Sequence, residues 1–490
     1  MYKFPRKQIS ITDFGLPMGV NIDAENRWVK KASLVPWEEI ELRYAALFKN
    51  RKGNVAKPLR LALGALLIQT QYQYSDEEVA LQIMETPCLQ YFCGMLSYEE
   101  KMPFDPSLMV YFRKRLTPEI LGDINEMIIS KAKGKPSNFL DNDDEPPDDT
   151  DGEESEMQPP EKESGELPNK GDLIVDATCA PQNIRYPQDL SLLNESRENL
   201  EKMIDELHDP DDGVKPRTYR KRARRDYLAT ARKRQKTTRE IRKAIKKQLQ
   251  YVRRDLKIVD RQLAAGKELS PWHTERLSTV KELYGQQLYM HKNKTHKVEG
   301  RIVSLGQPWV RPIVRGKAKS KCEFGAKIDI SVADGFVRLE HTSFDAYNEG
   351  RNLKEIIERY RLREGNYPER ALVDCIYRTR ENLAYCKKHN IRLMGKPLGR
   401  PKKDAVVNKK QIRADEIDRI EAERRLSHAK GSFGLGLIRS KLKSTSETAI
   451  AMAIVAMNLH NIWRISRTFF QQLLSWLSVD YMLTKAVIVQ

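Results

Sequence analysis

An acidic segment in the first half of the chain interrupts any continuous core that the sequence could build. Residues 138–168 hold 13 acidic residues and one Lys, interleaved with Pro, Ser and Gly. Such a segment buries too little apolar surface to offset chain entropy, so we predict a disordered linker. The 490-residue chain must therefore build its cores on either side of this segment, and its length allows roughly two to four domains.

The remainder of the chain is strongly basic. The formal net charge is +18 although the acidic segment contributes −12, which leaves +30 on the other residues. The most basic block, residues 215–261, holds 20 Lys or Arg and four acidic residues, and its apolar residues recur mostly every three or four positions. This spacing predicts one or two long basic helices. The charge favours a polyanionic partner, nucleic acid before an anionic membrane, and a solvated charged insertion is the alternative.

Other sequence features narrow the class of protein. The longest unbroken apolar run, residues 449–457, is nine residues long, whereas a membrane-spanning helix needs about 20. We therefore expect no transmembrane segment and no membrane partner. The first residues lack the apolar stretch of a secretory signal, so we predict a cytoplasmic location. Six cysteines without a Cys-x-x-Cys pair support neither a disulfide framework nor a zinc site.

The chain before the linker has a helical pattern. Pro58–Ile68 has the composition of a buried helix opened by proline. Ser75, with Glu78 three residues later, is typical of a capping box at the start of the next helix. A third predicted helix carries Arg113 and Arg115. The series resembles a helix-turn-helix-like DNA-binding unit, although many all-helical domains bind no DNA.

After the linker the pattern becomes mixed α/β. An apolar strand comes first, an alternating strand follows the basic block, and Asp334-Gly335 predicts a tight hairpin to the next strand. Helices and strands then alternate. Antiparallel strands followed by parallel ones are the order of a ribonuclease H-like fold, with the basic block inserted between the first and second strands. The predicted elements are strands 173–178, 324–332, 336–341, 370–374 and 391–394, and helices 348–362, 380–388 and 409–430.

Two carboxylates follow apolar strands. Asp176 and Asp374 are predicted at the C-terminal ends of their strands, where sites of parallel sheets collect, and carboxylate oxygens suit Mg²⁺. A third carboxylate is expected from the helix after the last strand, where several acids compete. Arg419, Glu423 and Lys430 share one face of that helix. Taken singly, either Asp could instead cap a turn, and the helix could carry only an ion-paired surface.

These residues carry a family resemblance. Arg419, Glu423 and Lys430 form Arg-x3-Glu-x6-Lys, which resembles the end of the Tyr-x2-Arg-x3-Glu-x6-Lys motif of DDE transposases from bacterial insertion sequences, in the superfamily of insertion-sequence families four and five. Glu416 stands at the Tyr position. Further segments look like the N-terminal and catalytic domains of these enzymes: PLRLALGALLIQ, ETPCLQYFCGM, FDPSLMVYFRKRL, LIVDAT, FDAYNEGRNL, ALVDCIYRTRENLAYCKKHNIRLMGKPLGRPKK and FGLGLIRSKLKSTSETAIAMAIVAMNL.

The resemblance implies a function and a site. Asp176, Asp374 and Glu423 would be the DDE triad that holds two Mg²⁺ ions, with Mn²⁺ as a substitute, and Arg419 and Lys430 would hold phosphates. The implied reaction is nicking at the ends of an insertion sequence, followed by strand transfer into target DNA, by a homodimer on double-stranded DNA. A catalytically silent DNA-binding protein and a nuclease without strand transfer are the alternatives.

One further DNA contact and the domain limits complete the sequence predictions. Arg400 and Lys402 lie in a Gly-Arg-Pro loop that could enter a minor groove or contact the backbone. We expect four segments: a helical DNA-binding domain at 1–137, the linker at 138–170, a catalytic domain at 171–465 with its insertion at about 190–315, and a helical extension at 466–490.

Overall fold

The computed structural model describes residues 2–4, 10–16, 21–48, 55–134, 168–314, 322–395 and 409–488. Nearly all of the predicted acidic linker lies outside these ranges, and so do Arg400 and Lys402. The part before the linker contains seven described helices: α1 (Arg27–Leu34), α2 (Trp37–Ala45), α3 (Leu59–Tyr72), α4 (Asp76–Glu85), α5 (Pro87–Phe92), α6 (Leu108–Arg115) and α7 (Pro118–Lys133).

Local sequence explains where these helices begin. The buried helix predicted after Pro58 is α3, whose first ten residues are all buried. The side chain of Ser75 caps α4 by accepting from the backbone N–H of Glu78 at 3.1 Å, as expected of an N-cap serine. The third predicted helix is α6, but α5 lies between it and α4. The predicted helical character is confirmed, and α5 separates the second predicted helix from the third.

A six-stranded mixed sheet follows, formed by β1 (Asp172–Pro181), β2 (Arg311–Val314), β3 (Cys322–Ala333), β4 (Phe336–Ser343), β5 (Arg370–Leu372) and β6 (Arg392–Leu393). The order is β2-β3-β1-β5-β6, with β4 also paired to β3. Strand β1 is antiparallel to β3 and parallel to β5, and β5 is parallel to β6. The predicted change from antiparallel to parallel pairing is present, and the α/β class is confirmed.

The hairpin between β3 and β4 follows from its turn residues. Asp334 and Gly335 have φ angles of 51° and 78°, both in the left-handed region. Two consecutive residues with positive φ match the right-handed twist of paired strands, and Asp-Gly is a sequence that tolerates them. The hairpin predicted at this dipeptide is therefore confirmed.

Four helices lie between β1 and β2: α8 (Asp189–Leu207), α9 (Arg220–Ala231), α10 (Thr238–Ala264) and α11 (Pro271–Asn293). The basic block forms α9 and α10, as the apolar spacing predicted. A capping box between Thr237 and Glu240 fixes the start of α10. Helices α8, α10 and α11 build a separate apolar cluster, which includes Leu200, Ile204, Val252, Val259 and Val280.

Helices cover both faces of the sheet. The last elements are α12 (Leu353–Glu364), α13 (Arg380–Lys388), α14 (Lys409–Ser432) and α15 (Lys443–Ile488). Residues of α12 and α13 pack on one face of the sheet, and residues of α14 and α15 pack on the other. The prediction of a half-buried β3 is therefore wrong, because its polar alternate residues Asp329 and Ser331 are fully buried as well.

The helices before the linker share a core with the sheet. One apolar cluster contains residues of α1–α7, β3 and α15. A buried polar contact lies within it: the side chain of Asn458 donates to Asn125 Oδ1 at 2.8 Å and to the carbonyl of Val337 at 2.7 Å. At its edge, Arg338 of β4 pairs with Glu126 of α7 at 2.7 Å. Among the described residues, no helix has the length and apolar character needed to cross a membrane.

Candidate active site

Asp176 lies in the middle of β1, and not at its end as predicted. The strand continues to Pro181 because β3 pairs with it as far as Gly325. On the other edge, pairing with β5 ends at Ile174 and Leu372. Asp176 and Asp374 each lie two residues beyond that pair, so they occupy equivalent positions on neighbouring parallel strands. Paired strands lie about 4.8 Å apart. The sheet thus brings the two predicted carboxylates to the same place along its edge.

Asp374 starts the turn that follows β5. Its Oδ1 accepts from the backbone N–H of Cys375 at 2.6 Å and caps a single 3₁₀ turn, Cys375–Tyr377. The carboxylate is exposed to solvent. Asp374 therefore has the capping role that was the alternative for this residue. The cap fixes its carboxylate at the edge of the sheet.

The buried side chain of Asn382 stabilises this turn. Asn382 is 2% exposed, and its Nδ2 donates to the carbonyls of Gly350 and Tyr377, both at 2.7 Å. A Cβ at position 350 would lie 2.7 Å from the carbonyl oxygen of Ile376, so only glycine allows this approach. The loop before α12 and the turn after Asp374 are in this way locked together.

A buried acid anchors the same loop to the sheet. Asp329 of β3 accepts from Tyr347 Oη and Asn352 Nδ2, both at 2.7 Å. Burial raises the pKa of this carboxyl, and the two hydrogen bonds oppose that rise. Neither Asp329 nor Asn382 was singled out from sequence. The only signal was the segment FDAYNEGRNL, which holds Tyr347 and Asn352 and was noted for its family resemblance alone.

The pKa of the Tyr377 hydroxyl is raised by its surroundings, which include the candidate carboxylates. Its side chain is fully buried, and its hydroxyl has no hydrogen-bond partner among the described residues. Burial raises its pKa most, followed by the negative charges of Asp329, Glu349, Asp176 and Asp374 in that order. The two candidate catalytic carboxylates therefore lie within electrostatic reach of one hydroxyl.

Two contacts fix the direction of α14 along β1. Near its start, Asp415 accepts from Arg392 at 2.6 and 2.8 Å and from Arg370 at 3.1 Å, and Arg370 also pairs with Asp172 at the start of β1. The hydrogen bonds from Arg392 keep the pKa of Asp415 low. Near its end, Lys430 Nζ donates to Thr178 Oγ1 at 2.8 Å. The helix and the strand therefore run side by side in the same direction.

Glu423 lies between these two contacts. The fifteen residues from 415 to 430 span about 22 Å of helix, and six residues of β1 span about 20 Å, so Glu423 is alongside the middle of the strand, at the level of Asp176. Its Oε1 accepts from Arg419 Nη2 at 2.8 Å, and its side chain is 52% exposed. Among the described residues, no group of three His, Cys, Asp or Glu is close enough to hold a metal ion. The three predicted carboxylates thus lie at the same level along the sheet, but they are too far apart to bind one metal ion.

The cations predicted to contact DNA before the linker have protein partners. Arg113 of α6 pairs with Asp76 at 2.5 Å and donates to Gln69 at 3.0 Å, and its side chain is 12% exposed. The guanidinium of Arg115 lies 5.1 Å from the ring centre of Phe48. Both side chains stabilise the helical unit. The predicted contacts of Arg400 and Lys402 fall outside the described residues.

Two segments of the chain match known protein families. Residues 371–460 match the family described as a transposase DDE domain, and residues 19–115 match a second family described as a transposase domain. The first match contains Asp374 and the Arg419, Glu423 and Lys430 series, whereas Asp176 precedes it.

A curated relative is the uncharacterized protein ORF8 in the nfe locus of Rhizobium meliloti, which is 28% identical over 111 residues. The match covers 23% of this chain and 53% of the relative. No solved structure matches the chain significantly. Two segments of the chain, one before and one after the acidic segment, are thus similar to transposase domains.

Proposed function

We propose that the protein is the transposase of an insertion sequence, which binds the terminal inverted repeats, cleaves at the ends and joins the cut strand to target DNA. The observation that carries this proposal is the register of the parallel strands, which gives Asp176 and Asp374 equivalent positions beyond the Ile174–Leu372 pair. Two carboxylates side by side at the open edge of a sheet suit a phosphoryl-transfer site.

The sheet supports a ribonuclease H-like catalytic domain. Its first three long strands are antiparallel neighbours, and β5 and β6 then continue from β1 in parallel. Helix α14 crosses this sheet beside β1 and carries the third acid. We place this catalytic domain at 171–465, with α8–α11 as its insertion, a DNA-binding domain at 1–137, the linker at 138–170 and an extension at 466–490.

The chemistry of the donors fits divalent cations. Carboxylate oxygens are the ligands that Mg²⁺ and Mn²⁺ accept in proteins. Asp176 and Asp374 would hold the metal, and Glu423 would complete the set when it leaves Arg419. Its 52% exposure leaves the side chain room to turn. Bound there, two such ions would supply the positive charge that activates the attacking oxygen and stabilises the leaving oxygen.

The cations of α14 have separate tasks in this proposal. While Arg419 holds Glu423, both charges are neutralised in an exposed pair. A DNA phosphate arriving beside α14 would compete for the guanidinium, because a phosphate binds Arg in a bidentate manner. Glu423 would then be released toward Asp176. Lys430, which donates to Thr178 on the same face of β1, would orient the backbone at the next phosphate.

Binding of both ends of an element requires two sites, so we expect a homodimer on double-stranded DNA. The experiment uses a duplex that carries one inverted repeat from the DNA flanking the gene. Asp176→Asn, Asp374→Asn and Glu423→Gln should each abolish nicking in Mg²⁺ while leaving binding of the duplex intact. Glu416→Gln, on an exposed face of the same helix, is the matched control and should cleave normally. Cleavage by any of the three variants would remove that residue from the triad.

A catalytically silent DNA-binding protein is the second candidate, and the Arg419–Glu423 pair favours it, since that pair keeps the third acid from the other two. Binding without nicking, in Mg²⁺ and in Mn²⁺, would establish this alternative. A third reading, a nuclease, would give nicks without joined products when a target duplex and free 3′-hydroxyl ends are present.

A further inference from the structure

We propose that the outer face of α9 binds the phosphate backbone of duplex DNA without reading its sequence, and this inference rests on the proposed function. We call this surface the α9 basic face. It is an open groove of about 600 Å³, lined by Lys221, Arg224, Arg225, Leu228, Ala229, Arg232 and Lys233.

The cations of this face repeat at helical spacing. Lys221 and Arg225 are four residues apart, and Arg232 follows seven residues later, so the three lie along one side of the helix. The α9 basic face contains no carboxylate. A row of positive charges on a straight helix of about 18 Å is complementary to the evenly spaced phosphates of a duplex.

Four of the five cations of this face have no ion-pair partner within the described part of the protein. Lys221, Arg224, Arg225 and Arg232 form no ion pair or hydrogen bond with described side chains there. Lys233 alone is paired, with Glu240 at 2.6 Å.

Two other cations of the same basic block are paired with acids instead. Arg220 contacts Asp205 at 2.6 Å, and Lys247 contacts Asp226 at 3.3 Å. These two pairs support the fold, whereas Lys221, Arg224, Arg225 and Arg232 are available to a ligand.

Helix α9 is held firmly although it adds little to the core. Only Ala223 of this helix is buried. Its carbonyl accepts from Gln248 Nε2 of α10 at 3.1 Å, and Asp226 accepts from Tyr251 Oη of α10 at 2.9 Å. These polar contacts fix one side of α9 on α10. The opposite side is therefore presented as a stable surface, with little ordering needed on binding.

The α9 basic face belongs to the helical insertion, which begins a few residues after the candidate active site. The chain leaves β1 at Pro181, five residues after Asp176, and enters α8 at Asp189. DNA bound at the sheet edge would therefore pass close to the helical insertion. Of the side chains that line the face, the polar ones are all Lys or Arg. A row of such cations binds phosphate oxygens whatever the base sequence is, so we expect the contact to be made to phosphates.

The test is a triple substitution, Lys221→Ala with Arg225→Ala and Arg232→Ala, in the full-length protein. We expect its affinity to fall about tenfold or more, and equally for an end duplex and for a scrambled duplex of the same length. The slope of log affinity against log salt should decrease by about 2.7, which is about 0.9 for each lost phosphate contact. Nicking of the end duplex at saturating protein should be unchanged.

Two controls keep the result interpretable. Arg225→Lys with Arg232→Lys retains the charges and should bind as the wild type does. Lys354→Ala with Arg361→Ala and Lys388→Ala removes the same charge from α12 and α13. If the α9 triple variant binds DNA like this control, or loses affinity only for the end duplex, the proposal is overturned. Failure of the wild-type protein to bind either duplex would instead overturn the proposed function itself.

Discussion

Lys430 on α14 donates to the hydroxyl of Thr178 on β1 across 2.8 Å, two residues from Asp176 on the same face of the strand. This bond joins the helix that carries the third candidate acid to the strand that carries the first. It also holds a cation beside the sheet edge, where we propose that DNA binds. The alignment of the triad therefore depends on a contact between two residues outside it.

Thr178→Val should test that contact without removing the charge. The variant loses the acceptor of the hydrogen bond from Lys430, which is worth about 1 kcal/mol. We expect nicking to slow about fivefold, with DNA affinity unchanged. Lys430→Ala should slow it more, because the charge is lost as well. Single-turnover cleavage at saturating protein measures both effects, and equal rates for wild type and Thr178→Val would contradict this role.

Asn382→Ala should loosen the turn that carries Asp374. Two carbonyls, of Gly350 and Tyr377, would lose their buried donor, at a cost of about 1–3 kcal/mol in the free energy of unfolding. Because the carboxylate would be less well placed, the Mg²⁺ concentration that gives half-maximal nicking should rise. Urea unfolding and a metal titration measure the two effects. Asn199→Ala, whose amide donates only within α8, is the control, and an unchanged metal requirement in Asn382→Ala would argue against positioning.

Asp255 should make the stability of the insertion depend on pH. It is fully buried in α10, and neither carboxylate oxygen has a partner among the described residues. Burial raises its pKa to about 8, and the charge of Glu201 adds to that effect, while Arg197, Arg254 and Arg220 oppose it. The folded form thus retains a proton that the unfolded chain releases near pH 4.

The sign of the effect follows from that difference. The stability contributed by protonated Asp255 is complete below about pH 4 and is lost as pH rises toward about 8. Asp255→Asn should remove this loss and raise the free energy of unfolding by about 1–3 kcal/mol at pH 8. Unfolding of both proteins by urea between pH 5 and pH 9 measures it. Asp260→Asn, in an exposed pair with Lys281, should show no such gain.

Asn458→Ala should weaken the junction between the helices before the linker and the sheet. The substitution leaves Asn125 Oδ1 without its donor and the backbone N–H of Val337 without its acceptor, at about 2–4 kcal/mol in the free energy of unfolding. The carbonyl of Val337 keeps the hydrogen bond from Asn125 Nδ2. Chemical denaturation gives this value directly. A change below about 0.5 kcal/mol would mean that the contact does not contribute to the junction.

Much of the fold was predictable because its signals are local. Asp334-Gly335 specified the hairpin, Arg380–Lys388 was predicted at the bounds that α13 has, and the apolar spacing in the basic block gave α9 and α10. The type I′ turn and the helical period depend on neighbouring residues only, so one sequence is enough to identify them.

The errors concern contacts between distant segments. The end of β1 depends on how far β3 continues beside it, so Asp176 was expected at a strand end that lies five residues farther on. Asp329 was expected on an open face because nothing in its strand reveals that α12 and α13 cover that face. The ion pair of Arg113 was also not foreseen, because its partner Asp76 is 37 residues earlier in the chain.

The polar contact of Asn125 with Asn458 and Val337, and the apolar core around it, join α7, α15 and β4 into one packed unit. The helices before the linker and the sheet edge with Asp176 and Asp374 are therefore held at a set distance by packing, whatever the length of the acidic segment between them. Under the proposed function, DNA bound by those helices would reach the carboxylates at a fixed number of base pairs from its binding site. The packing of the core would therefore set the distance between the bound sequence and the cleavage position.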